Sequence, residues 1–154
     1  MAAYRQDKEY MTYVAPLLAT KKVQRLQDIS HHYHFTRLEH SLHVSYTSYC
    51  LAKKWGWDAR SAARGGLLHD LFFYDWRTTS FRKSHAWVHP RIAKRNAQTV
   101  TVLNPIEEDI IVKHMFGATL APPRYKESWL VTCVDKYWAV KELLHPVRQR
   151  MQHR

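Results

Sequence analysis

The residues best suited to chemistry are an adjacent histidine and aspartate, His69-Asp70, which close the run Gly65-Gly66-Leu67-Leu68. An imidazole nitrogen beside a carboxylate suits a divalent metal ion. A metal bound for catalysis takes three or more protein ligands and keeps a position open for water, so the doublet needs partners from elsewhere in the chain. Directly after it, residues 71–88 interleave Phe72, Phe73, Tyr74, Trp76, Phe81 and Trp87 with Arg77, Arg82 and Lys83. Such a mixture can stack on a base while holding phosphate, or it can simply supply core.

Helices must position these groups. Strand signals are nearly absent: there are four glycines and no Asn-Gly or Asp-Gly hairpin turn. Periodicity predicts helices over 5–18 and 21–28, a break from Ile29 to Thr36, and a helix over 37–54 with Thr36 as its N-cap. On that helix Leu38, Leu42, Ser45, Tyr49 and Ala52 share one face, and His40, Val44, Thr47 and Leu51 form a second stripe beside it. Arg37 lies between them, while His43 falls on the polar side with Glu39, Lys53 and Lys54. An inward His40 is either a core histidine bonded to backbone or a ligand. An arginine in the same arc wants an anion.

Asp58 is the N-cap of the next helix, whose residues Ala59, Ala62, Ala63 and Gly66 make a small-residue face that admits a close neighbour. Asp70 projects onto the centre of that face. A carboxylate there is costly unless paired, hydrogen-bonded or metal-bound, and its partner is either a buried arginine, with Arg37 as the candidate, or a metal. His89-Pro90 opens a further helix, with proline at the first helical position and His89 at the N-cap. Asn104-Pro105-Ile106-Glu107 gives a variant capping box, and Ile106, Ile110 and His114 then line one inner face. A last helix over 126–144, closed by His145-Pro146, has an apolar arc of Trp129, Leu130, Cys133, Val134, Tyr137, Trp138 and Leu144. Asp135 lies outside it with Ser128, Thr132 and Glu142, so periodicity makes it a solvated acid. A basic tail, 148–154, is expected to fray.

With 154 residues, 45% of them apolar, the chain is long enough for one domain with a substantial core. No run approaches the roughly 18 apolar residues of a membrane span, and the N-terminal residues lack the apolar core of a signal peptide; the expected location is cytoplasmic. Cys50 and Cys133, without CxxC spacing, are expected as reduced core thiols. Lys and Arg outnumber Asp and Glu by 24 to 13, a net charge of +11. That field concentrates anions, so phosphorylated metabolites, nucleotides and nucleic acid are all eligible partners, although a merely solubilising surface carries the same signature.

Taken in order, the candidates are His40, His69-Asp70, His89, His114 and Asp135. Their contexts are Arg37-Leu38-Glu39-His40, Gly65-Gly66-Leu67-Leu68-His69-Asp70, His89-Pro90-Arg91, Val112-Lys113-His114 and Val134-Asp135-Lys136. The order resembles the HD-domain superfamily of metal-dependent phosphohydrolases over roughly residues 35–144. The resemblance implies an all-α bundle of about six to seven helices, with the N-terminal helices packed on the HD core. His40, His69, Asp70 and Asp135 would hold one metal, and His89 and His114, with Asp70 as a bridge, a second. Fe, Mn, Zn, Co or Ni suits these ligands, with Mg possible where phosphate assists.

The implied activity is hydrolysis of a phosphoester or phosphoanhydride bond in a small phosphorylated metabolite, a nucleotide above all, by a metal-activated water. Arg37, Arg77 and Lys113 are the candidates to neutralise the leaving phosphate, and Arg37, Tyr74, Arg77, Arg82 and Lys83 those to bind substrate. Family members often carry a lysine at the fourth position after the doublet, where this chain has Tyr74, with Arg77 as the possible substitute. The competing expectation is an idle module that holds nucleotide or RNA on the basic, aromatic surface.

Overall fold

Helices start where a side chain can accept hydrogen bonds from otherwise unsatisfied backbone N–H groups, and most helix boundaries here follow from that rule. The computed structural model describes residues 3–32 and 34–152. Asp7 accepts from the Tyr10 amide at 3.0 Å and so splits the expected first helix into α1 (Ala3–Gln6) and α2 (Lys8–Leu18). Thr20 caps α3 (Lys21–Gln24), which tightens into a 3-10 turn over Arg25–Asp28. The break before Thr36 is a two-stranded antiparallel ribbon, β1 (Ser30–His32) and β2 (Phe35–Thr36). Thr36 and Glu39 form a reciprocal capping box on α4 (Arg37–Lys54). At its other end Gly56, at φ 68°, lets the Trp57 and Gly56 amides turn back to the carbonyls of Ala52 and Lys53, a Schellman ending that a side chain would strain. Asp58 caps α5 (Ala59–Leu68), and Asn104 with Glu107 boxes the start of α7 (Pro105–Lys113). The fold is all-α, with eight helices among the described residues.

Two boundaries differ from expectation. α6 spans His85–Gln98 with Ser84 as N-cap, so Pro90 lies inside it. A proline removes one helical hydrogen bond without having to end the helix, and the earlier start carries His89 from the helix end onto the buried face. The last helix, α8 (Lys126–Gln152), runs through Pro146. The backbone of 148–152 is therefore helical, while 153–154 of the expected tail lie outside the described residues.

α5 is the centre of the packing. Every residue from Ser61 to Asp70 is buried, because one core, with Tyr10, Leu42, Leu67 and Ala97, lies on one side of the helix and a second, with Val44, Ala62, Ile110 and Val131, on the other. Small residues make this possible: a Cβ on Gly66 would fall 2.9 Å from the Ser45 Cα of α4. Across the same contact the Ser45 hydroxyl donates to the Ala63 carbonyl at 2.6 Å and meets the Tyr10 hydroxyl at 2.8 Å. Arg64 donates to Glu107 at 2.6 Å in a buried ion pair that ties α5 to α7.

α8 is rotated from its expected orientation: Leu130 and Val134 of the apolar arc are buried as expected, but the rest of the arc is not. Ser128, Thr132 and Glu142 of its polar stripe are buried and Asp135 is mostly so, whereas Trp129, Tyr137 and Leu144 of the apolar arc face outward. His43 is also drawn inward, stacked on Trp138 with ring centroids 4.2 Å apart. Cys50 and Cys133 are free thiols on the surface, not in the core, since each sits on the outer side of its helix. No helix is long and apolar enough to cross a membrane among the described residues.

The Gly66 contact yields a stability prediction. Gly66→Ala should destabilise the protein by about 1–3 kcal/mol through overpacking against backbone that cannot yield, although helix propensity alone favours alanine by about 1 kcal/mol. Urea unfolding measures this, and an unchanged or higher midpoint would contradict the packing described.

Candidate metal centre

Five helices deliver side chains to one buried cluster. α4 contributes His40 from its second turn, α5 and α7 end on His69 and His114, α6 presents His89, and α8 presents Asp135. The two helix-ending histidines share a local device. Each donates its Nδ1–H to a last-turn carbonyl three residues back, His69 to Gly66 at 2.7 Å and His114 to Ile111 at 2.8 Å. His89 does the same toward the His85 carbonyl at 3.2 Å. A carbonyl oxygen only accepts, so Nδ1 carries a hydrogen in all three rings and Nε2 is turned to the cluster, where it can bind a metal or take a second proton. At the ends of α5 and α7 backbone that would otherwise lack a donor thereby fixes tautomer and ring orientation, and in α6 an interior carbonyl does so for His89, as second partners of metal-ligating histidines do.

These nitrogens converge. Nε2 of His89 and His114 are 2.7 Å apart, and Oδ1 of Asp70 lies 3.3 Å from the first and 3.5 Å from the second. Two facing lone pairs at that distance repel unless a cation lies between them. Nε2 of His69 is buried without a hydrogen bond, 3.6 Å from Asp70 Oδ2 and 3.3 Å from Asp135 Oδ1. His40 Nε2 reaches Asp135 Oδ1 at 2.9 Å. Four overlapping sets of donor atoms, His31/His40/Glu142, His40/His69/Asp70, His69/His114/Asp135 and Asp70/His89/His114, each lie within 4.8 Å of one another among the described residues. Convergent imidazole nitrogens and carboxylate oxygens fit one or more divalent ions, and these buried groups could hold one.

Electrostatics show how the cluster balances itself with protons. Burial works against charge on both aspartates, yet His69, followed by His114 and His89, holds Asp70 well below the usual carboxylate range. His40 and His69 do the same for Asp135. Burial also pulls His40 down, but its hydrogen bonds to Asp135 and Glu142 prevail and raise it to about 10. His69 is raised as well, burial being outweighed by Asp70 and Asp135. His114 moves the other way, lowered chiefly by burial.

All six residues singled out from the sequence as ligands come together here. Glu142 was not among them. It accepts from His40 Nδ1 at 2.9 Å and meets His43 Nδ1 at 3.2 Å, and two turns separate it from Asp135 on the same helix face, a spacing that would have revealed it. His31 was missed too; its ring stacks on His40 at 4.0 Å, placed by a ribbon with no periodic signal.

The proposed phosphate-binding residues stand apart from the cluster. Arg37 is buried, its guanidinium 3.7 Å from the Phe72 ring centroid, donating to the carbonyls of Phe72 at 2.5 Å and Tyr74 at 3.4 Å. It fastens the segment after the doublet, and imidazoles rather than Arg37 bond to Asp70. The Tyr74 hydroxyl meets His85 Nδ1 at 3.1 Å. Arg77 is exposed and donates to the His31 carbonyl at 2.8 Å. Arg82 and Lys83 are exposed in the loop before α6, and Lys113 is half-buried beside His114.

A metal bound through His40 Nε2 would displace its proton, because that ring is charged below pH about 10. Calorimetry of Mn or Zn binding in buffers of differing ionisation enthalpy should therefore show release of at least one proton per protein near pH 7.5. Apparent affinity should rise about tenfold per pH unit for each proton released while pH stays below the folded pKa. Proton-neutral, pH-independent binding would contradict the cluster. Set against family models, curated proteins and solved structures, the chain matches none of them.

Proposed function

We propose that this protein is a metal-dependent phosphohydrolase of HD type, acting on a small phosphorylated metabolite of which a nucleotide is the best fit. The observation that carries the reading is the meeting of His40, His69, Asp70, His89, His114 and Asp135 in one buried cluster, in the chain order of the HD pattern. His40, His69, Asp70 and Asp135 would hold one ion, and His89 and His114, sharing Asp70, a second. Fe, Mn, Zn, Co or Ni matches imidazole-rich ligation, Mg less so. When bound, such an ion lowers the pKa of a water ligand and polarises a phosphoryl group.

The chain's own residues supply placement. Glu142 orients His40 through Nδ1, and the carbonyls of Gly66, His85 and Ile111 orient the other three rings. Arg37 keeps the Phe72–Tyr74 backbone against α4, so its contribution is positioning. Trp76 stacks on His85 with centroids 5.5 Å apart, and His85 on His89 at 4.4 Å. This column leads from the cluster to an exposed aromatic loop, where Arg77 lies 5.1 Å from the Trp76 ring centroid. An exposed ring beside a guanidinium suits a nucleobase and its phosphate. Arg77, Arg82 and Lys83 are the cations on that loop, and Lys113 precedes His114 at the end of α7.

A screen of nucleotides and phosphomonoesters with Mn, Co, Ni, Zn, Fe or Mg should release phosphate in a chelator-sensitive manner. Asp70→Ala should lower that rate by roughly a thousandfold or more with circular dichroism unchanged. Turnover retained by Asp70→Ala would contradict the proposal. Salt-sensitive RNA binding without turnover or chelator effect would favour an idle binding module instead.

A further inference from the structure

We propose that the outward face of α8 is a docking seam for an acidic amphipathic helix of another protein. Cys133, Tyr137, Val140 and Leu144 are exposed on that face, with Tyr137 at 57%, Val140 at 56% and Leu144 at 53%. Their spacing of four, three and four residues is the a/d repeat of a two-stranded helical seam, and the sequence continues it at Val147 and Met151. α8 is a helix of 27 residues, and the stretch from Cys133 to Leu144 lies before Pro146, on uninterrupted helix. Core packing does not explain the stripe: α8 meets the body through Ser128, Val131, Thr132, Val134 and Glu142.

Charge selects the occupant. Exposed Lys136, whose Nζ also donates to the His114 carbonyl at 3.1 Å, and Lys141 flank the stripe on its two sides, and beyond Leu143 the flanking positions of the sequence are Arg148 and Arg150. The three acids of α8, Glu127, Asp135 and Glu142, all lie on its inward side. Pairing with a second copy would set cation against cation in either orientation, which disfavours that dimer. A partner carrying glutamates at its flanking positions removes the repulsion and gains ion pairs. Beyond the stripe only Leu143 and Trp129, on the Lys136 side, extend the exposed apolar surface of α8 among the described residues. A helix that lies in a bilayer surface presents a broader apolar face, so a helical partner fits better than a membrane.

The test uses the intact protein and a synthetic helix of about four heptads with Ile and Leu at a and d, made once with Glu and once with Lys at e and g. Fluorescence anisotropy should show binding of the Glu peptide that weakens with salt, weakens roughly tenfold or more in the double variant Tyr137→Glu/Leu144→Glu, and is absent for the Lys peptide. Both substituted positions are exposed and outside the metal cluster, so helical content and metal content should not change. Equal binding by wild type and variant, or by both peptides, would overturn the proposal. So would sedimentation showing a wild-type dimer that the variant abolishes, or variant-sensitive binding to phosphatidylserine vesicles without peptide binding.

Discussion

Ionised carboxylates taken out of water cost several kcal/mol each unless cations or donors meet them, and this fold is built around Asp70 and Asp135. Asp70 faces the Nε2 atoms of His69, His89 and His114; Asp135 faces those of His40 and His69. No one helix could supply that set, because neighbours on a helix face are three or four residues apart and the ligands must come from several directions. The consequence is a crowded bundle in which α5 is buried on all sides. Glycine at position 66 lets α4 approach closely enough for His40 and His69 to share Asp135. Removing Asp70 would leave His89 and His114 without a carboxylate, and removing an imidazole would take a partner from a buried charge.

Ring orientation is settled by the ends of helices. His69 and His114 each follow the last turn of a helix and use Nδ1–H to satisfy one of its orphan carbonyls. The same hydrogen bond that finishes the helix leaves Nε2 free for the cluster. His40, inside a helix where carbonyls are already taken, relies on the Glu142 carboxylate for the equivalent bond. Against burial, Asp135 on Nε2 and Glu142 on Nδ1 together raise His40 to about 10, and the neighbouring carboxylates raise His69 as well, so protons that a metal would replace help to balance the metal-free cluster.

What could be read from sequence followed from how local the signal was. Thr36, Asp58 and Asn104 mark their helices correctly, because a cap is a contact between residues three apart. The inward placement of His40, Asp70 and His114 followed from periodicity against clearly apolar neighbours. Pro90 misled because proline's preference for a first turn is a tendency, and Ser84 offered an earlier start. Asp135 was illegible for a physical reason: its stripe is polar, so α8 looks rotated until His40 and His69 are in place to receive it. Glu142 shares that stripe with Asp135 and is hidden for the same reason, whereas His31 comes from a short ribbon that has no periodicity to read.

Anomalous diffraction locates a metal without assumption about activity. Crystals grown with Mn or Zn and measured on either side of the absorption edge should give a difference peak among the Nε2 atoms of His69, His89 and His114 and the Asp70 carboxylate. A second peak is allowed beside His40 and Asp135. A map with no peak there at saturating metal, or with its strongest peak on surface histidines, would contradict the account.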